Sequence, residues 1–166
     1  VQNAHTESVT ALALTHEDDT GPSWRMISGG QDGRVRVWNV TAEKQTMEAT
    51  LKEHRAPVTS IAVMNDNTQC VTASEDGSCI VWDITNYLRV NAMFANTNFS
   101  TILYHPDESQ YLSTGTDRKI TYRDSFDASA IRVIDGSESG ETGGAVKALD
   151  IDGEGATKYE QFGKSV

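Results

Sequence analysis

A twelve-residue pattern occurs three times at a nearly constant interval, and a period of about forty residues leaves few folds open. The run from Ser28 to Asn39 (SGGQDGRVRVWN) returns from Thr72 to Asp83 (TASEDGSCIVWD), 44 positions on, and again in weaker form from Ser113 to Asp124 (STGTDRKITYRD) after another 41. Upstream, His5 stands four residues before Val9-Thr10-Ala11-Leu12-Ala13, and His54 stands four before Val58-Thr59-Ser60-Ile61-Ala62. Asp32 follows His5 by 27 residues and Asp76 follows His54 by 22. The extra five fall in the polar stretch from Glu17 to Ser23, a lengthened loop that a repeat tolerates without losing register.

Each copy sets β-branched and aromatic residues on either side of a tight polar turn, Asp-Gly in the first two, which is the signature of a β-hairpin. No stretch carries a convincing helical period. Short strands recurring every 40 to 45 residues and closing on Trp38-Asn39 or Trp82-Asp83 predict the blades of a β-propeller. The expected fold is all-β: about three and a half four-stranded blades of a larger, seven-bladed ring, with repeats at 5–44, 45–87, 88–127 and 128–166. Three and a half blades do not close a ring, so the chain is expected to be an excerpt of a longer polypeptide. If Glu75 to Ser78 form the second hairpin turn, Cys79 lies opposite Ser74 and Cys70 opposite Asp83, too far apart for a disulfide. Two free, buried thiols are expected.

Several residue sets suggest chemistry and fail on spacing or repetition. His5, Ser28 and Asp32, like His54, Thr72 and Asp76, have the residue types of a hydrolytic triad. A nucleophile is needed once, whereas this set occurs in two successive repeats, each with a tryptophan (Trp38, Trp82) six residues after the aspartate. Asp150-Ile151-Asp152-Gly153-Glu154-Gly155 begins like a calcium loop, but its twelfth position is Gln161, and it reads better as a turn in a fourth blade. Gly163-Lys164-Ser165 lacks the upstream glycine of a phosphate loop, that position being Lys158. The run from Gly136 to Gly144 is an acidic loop with no dinucleotide pattern. His16 and His105 are isolated, and His105-Pro106-Asp107 reads as a turn. No catalytic residue, cofactor, metal or small-molecule substrate is expected.

Charge narrows the partners. Fourteen basic against 24 acidic residues give a net charge of −10, which repels phosphate backbones and anionic lipid, so neither nucleic acid nor membrane is an expected partner. The third copy departs from the pattern: Arg118 replaces the turn glycine and Arg123 the tryptophan, no histidine precedes Phe99, and Asn96 is the nearest polar residue. Arg123 is expected at the periphery, or paired with Asp124 or Asp127.

The Trp-Asp endings in register with His and Asp-Gly resemble the WD-repeat family over residues 5 to about 124, and loosely over 145 to 157. In that family the matching residues form a buried hydrogen-bond tetrad, which the resemblance carries onto His5, Ser28, Asp32 and Trp38, and onto His54, Thr72, Asp76 and Trp82. From residues 50 to 155 the chain resembles more particularly the cilia- and flagella-associated WD-repeat proteins of the doublet-microtubule lumen. The residues that carry this are Cys70 to Gly77, Ala95-Asn96-Thr97-Asn98-Phe99, Tyr104-His105-Pro106-Asp107-Glu108, Thr114 to Ile120 and Asp127 to Arg132. That resemblance implies a non-enzymatic scaffold of the axoneme, with tubulin and other microtubule inner proteins as partners. A soluble adaptor, such as a ubiquitin-ligase substrate receptor or a signalling scaffold, is the alternative. Gln31, Glu75, Thr116, Arg118, Arg123 and the loop from Asp18 to Ser23 are the candidate partner contacts.

Overall fold

Alternating strand residues and tight turns produce only strands among the residues described by the computed structural model, which are 4–15, 24–135, 148–151 and 157–160. The first sheet is β1 (Val9–Leu14), β2 (Trp24–Gly30), β3 (Val35–Val40) and β4 (Gln45–Leu51). The second is β5 (Val58–Val63), β6 (Gln69–Ser74), β7 (Ser78–Asp83) and β8 (Leu88–Phe94), and the third is β9 (Phe99–Tyr104), β10 (Gln110–Gly115), β11 (Lys119–Asp124) and β12 (Ala130–Asp135). Each is an antiparallel meander with strands adjacent in chain order. β13 (Ala148–Ile151) and β14 (Thr157–Glu160) pair antiparallel beyond them. Three four-stranded blades and part of a fourth make this a segment of a β-propeller.

The hairpin turns are one residue tighter than expected. Gly77 sits at φ 82° and its amide donates to the Ser74 carbonyl (3.3 Å), so the turn proper is Glu75-Asp76-Gly77. Cys79 therefore pairs with Ala73 and Cys70 with Trp82, not with Ser74 and Asp83. The shift puts the two thiols on opposite faces of the blade, since side chains alternate along a strand. Cys70 joins the core shared with the first blade and Cys79 the core shared with the third. Both are free and buried, and burial pushes the Cys70 thiol up to about 12 and the Cys79 thiol higher still.

Between the first two blades, Ile27, Val35 and Val37 meet Val58, Ile80 and Trp82; between the second and third, Val71 and Val81 meet Phe99, Ile102 and Tyr111. Two polar devices repeat at these seams. Thr10 and Thr59 occupy the bulged position of their innermost strands. Thr10 Oγ1 donates to the Val58 carbonyl of the next blade, and Thr59 Oγ1 to that of Phe99 (2.9 Å). The turn glycines are the second device. A Cβ on Gly33 would lie 2.9 Å from the His54 carbonyl oxygen, and one on Gly77 would lie 2.4 Å from that of Ala95. Each turn thus packs against the backbone that enters the following blade.

Gly77→Ala should therefore combine left-handed backbone strain with a backbone clash, lowering unfolding free energy by about 1–3 kcal/mol. Urea unfolding of the variant measures this; an unchanged midpoint would mean that the entry loop at Ala95 yields.

Candidate functional site

The polar side chains of the repeat converge on the entry to each blade. In the first, Trp38 Nε1 donates to Ser28 Oγ (2.9 Å), Ser28 Oγ lies 2.9 Å from His5 Nε2, and His5 Nδ1 lies 2.9 Å from Asp32 Oδ1. Asp32 also accepts from the Thr6 amide and hydroxyl (both 3.1 Å) and from the Arg34 amide (3.1 Å). An indole N–H only donates and a carboxylate only accepts, so the protons have one consistent direction: indole to hydroxyl, hydroxyl to imidazole, imidazole to carboxylate. Burial alone would raise the Asp32 carboxyl, but the bonds from His5, Arg34 and Thr6 outweigh it and hold the group at about 2.

The distances are those of a serine hydrolase triad, but the surroundings are not. Ser28 is 2% exposed, and its oxygen already accepts the Trp38 N–H, so it presents no accessible nucleophile. The arrangement holds the residues before the blade onto its central strands.

The second blade contains a member that the repeat pattern does not reveal. His54 Nε2 lies 2.7 Å from Thr72 Oγ1, which accepts from Trp82 Nε1 (2.9 Å), but His54 Nδ1 meets Ser78 Oγ (2.7 Å) rather than the aspartate. Ser78 Oγ in turn donates to Asp76 Oδ1, leaving the closest imidazole–carboxylate approach at 3.7 Å. The tetrad is here a pentad with a serine relay. The sequence signal was a small hydroxyl residue two positions after the turn aspartate, where the first blade has Arg34. Asp76 also accepts from the amides of Arg55 (2.7 Å) and Ser78 (2.8 Å). These bonds outweigh its burial and lower its pKa. Burial lowers that of His54 despite Asp76 and Glu53, so the imidazole is held neutral.

The third blade keeps the turn aspartate, Asp117, but has lost the imidazole and the indole of the network. Ala95 stands where His5 and His54 stand, and Arg123 where the tryptophans stand. Its entry loop is tied instead by Thr97, which is buried, whereas Asn96 is exposed. Thr97 Oγ1 accepts from the Asp117 amide (3.1 Å) and meets Thr116 Oγ1 (3.2 Å), which accepts from the Asn98 amide (3.0 Å). Arg123 pairs with neither Asp124 nor Asp127. Its Nη1 donates to the Ala128 carbonyl (3.3 Å), because Asp124 already accepts from the amides of Phe126 and Asp127, and Asp127 from that of Ser129. Four buried polar atoms, Tyr111 Oη, Ser113 Oγ, Thr114 Oγ1 and Arg123 Nε, have no hydrogen-bond partner there. Ser113 is the counterpart of Ser28 and Thr72, orphaned by the two substitutions.

Gln31, Glu75 and Thr116 lie exposed at the β2–β3, β6–β7 and β10–β11 turns, on the edge from which the entry loops arrive, while Arg118 and Arg123 are half-buried. Arg118 occupies the turn position of Gly33 and Gly77 and takes the same left-handed backbone, φ 62°. Arg123 lies at the far end of β11, so these five do not form one site. His105 Nδ1 is 2.9 Å from Asp107 Oδ1 of its own turn. The loop from Asp18 to Ser23, His16, the run from Gly136 to Gly144, the turn at 152–155 and Gly163 to Ser165 lie outside the described residues.

Two measurements test these networks. The unfolded chain protonates His54 near its ordinary value of 6.5 while the folded chain resists, so its contribution to stability is present above that pH and lost as pH falls through it. Denaturant unfolding from pH 7.5 down to 5 should show the stability gap between wild type and His54→Gln narrowing; a constant gap would contradict the neutral, buried imidazole. Arg123→Trp should supply an indole N–H to Ser113 and raise stability by about 1–2 kcal/mol, read from the same unfolding curves.

Similarity to known proteins respects the same division of the chain. The family described as WD domain, G-beta repeat matches residues 1–39 and 45–83, and both matches end on the Trp-Asn or Trp-Asp pair. The copy carrying Arg118 and Arg123 is outside them. The chain is 46% identical, over 93% of its length, to cilia- and flagella-associated protein 52 of Bos taurus, covering 23% of that protein. To the protein of the same name in Chlamydomonas reinhardtii it is 47% identical over 93% of its length, covering 24%. It is 26% identical, over 66% of its length, to the target of rapamycin complex subunit LST8 of Saccharomyces cerevisiae, covering 34% of it. The chain thus spans about a quarter of the length of the cilia- and flagella-associated relatives.

Proposed function

Because this chain belongs to the WD-repeat family, whose blades mediate protein interactions, we propose that it is a non-catalytic scaffold segment of cilia and flagella, seated among the inner proteins of the axonemal doublet microtubule. The observation that carries the reading is the 44–47% identity kept over 92–93% of the chain with cilia- and flagella-associated relatives from mammals to a green alga. The two blade-entry networks support it, because they spend the reactive residue types on holding loops in place. What such a disc offers is shape: exposed Gln31, Glu75 and Thr116 at one edge, and a rigid outer rim. Tubulin and neighbouring inner proteins are the partners this reading implies, and binding spread over several blades would stiffen the doublet against bending.

The test is retention. The protein is tagged in a flagellated cell, axonemes are isolated, and the doublets are washed at high salt. Retention is expected, since contacts protected inside the doublet are screened far less than exposed ones. Release into the wash, or a diffuse cytoplasmic signal, would overturn the lumenal reading in favour of a soluble adaptor.

A further inference from the structure

Leu12, an exposed apolar residue of the first blade, is explained by the propeller itself. Leu12 pairs with Ser28 as Ile61 pairs with Thr72, and Ile61 packs in the core shared with the preceding blade. Leu12, 60% exposed here, therefore lies on the face that takes a neighbouring blade. Phe126 has no such explanation. It is 89% exposed in the β11–β12 turn, at the position that Thr85 occupies in the equivalent β7–β8 turn. Both turns are capped alike: Asp83 accepts from the amides of Thr85 and Asn86, and Asp124 from those of Phe126 and Asp127. The turn needs the aspartate and the left-handed residue that closes it, Tyr87 (φ 59°) or Ala128 (φ 62°), but not a phenylalanine.

The Phe126 turn is held against the outer strand of the second blade. Asn91 Nδ2 donates to the Phe126 carbonyl (3.1 Å), and Val90, beside Asn91, is the bulged residue of β8 and is 52% exposed. The first seam shows the same juxtaposition: Tyr87 Oη donates to Glu48, the bulged residue of β4 (2.9 Å). A charged residue at the first seam is thus a valine at the second. Leu88, 64% exposed, pairs with Asp83 and shares its blade face with Val81, which packs toward the third blade. Leu88, Val90 and Phe126 therefore line one outer seam.

We propose that this seam docks a short segment of another protein in which a large apolar side chain is flanked by lysine or arginine. The apolar half of the match is the exposed trio. The basic half comes from the carboxylates around it: Asp83, Asp124 and Asp127 serve as turn acceptors, and these hydrogen bonds hold Asp83 and Asp127 below the usual carboxylate range. The nearby cations are engaged: Arg89 with Glu53, and half-buried Arg123 with the Ala128 carbonyl. A neutral partner would strip water from this rim without replacing it, whereas a basic one compensates the charge, in keeping with the chain's net −10. The bulge at Val90 breaks the regular ladder edge, so the partner docks by side chains rather than by adding a strand.

The proposal is independent of where in the cell the protein resides. Its probes are three fluorescein-labelled dodecapeptides, alternating lysine–leucine, glutamate–leucine and lysine–serine, titrated against the protein by anisotropy. The variant is Phe126→Thr, which installs the residue of the sister turn at an exposed position, and its thermal unfolding should match wild type. The lysine–leucine peptide should bind best and lose about tenfold in affinity with Phe126→Thr, as expected for an exposed aromatic anchor. Equal binding of the glutamate–leucine peptide, or an affinity for the lysine–leucine peptide that Phe126→Thr leaves unchanged, would overturn the proposal.

Discussion

A buried chain of hydrogen bonds running from an indole N–H to a turn carboxylate fixes the entrance of each of the first two blades and, through it, the seam between them. Its polarity is set by its ends, because tryptophan can only donate and aspartate can only accept. Between them the hydroxyl of Ser28 or Thr72 and the imidazole of His5 or His54 each donate and accept, which leaves no buried polar group unused. The consequence reaches beyond one blade. His54 is fixed by the network of the second blade, and its carbonyl is the surface against which Gly33, the turn glycine of the first blade, packs. Ordering one entry loop therefore positions the seam with the preceding blade, and the same turn-glycine contact recurs at the next seam, between Gly77 and the Ala95 carbonyl.

In the third blade that hydrogen-bond chain is gone and the fold is kept. Its strands pair in the same register and its core against the second blade is intact. What is lost is satisfaction: Ser113, Thr114, Tyr111 and Arg123 bury polar atoms without partners, and Thr97 ties the entry loop through fewer bonds. Apolar burial supplies most of the favourable free energy of such a sheet pair, so the blade persists without its polar lock. The same blade carries the exposed Phe126, so its departures from the repeat fall both inside the sheet and on the rim.

Much of this was legible in the residues. A period of 41 to 44 and Trp-Asp endings pointed to the blades, and the resemblance to WD repeats named four members of the entry network in each of the first two. Periodicity also separated structural His-Ser-Asp sets from catalytic ones, since a nucleophile has no reason to recur. Other features were not legible. Ser78 stands two positions after the turn aspartate, but it enters the second network because its hydroxyl fills the three-dimensional gap between the imidazole and Asp76, which the spacing alone does not show. The hairpin register was one residue off because Asp-Gly turns of different length share the same letters, and only the Gly77 amide bond to Ser74 distinguishes them. Arg123 was expected at the periphery or paired with an acid, and is half-buried at a carbonyl, because its neighbouring aspartates are already committed to backbone amides.

The sequence by itself determined the all-β class, the blade repeat, the recurring His, Ser/Thr, Asp and Trp positions of the first two blades and the resemblance to cilia- and flagella-associated WD-repeat proteins, because each is written as a local pattern that recurs. Only the tertiary structure decided the serine relay at His54, the orphaned polar atoms around Ser113 and the grouping of Leu88, Val90 and Phe126. These arise where two strands or two blades meet. Contact there depends on twist, bulges and the approach of distant backbone, none of which is a property of neighbouring residues along the chain.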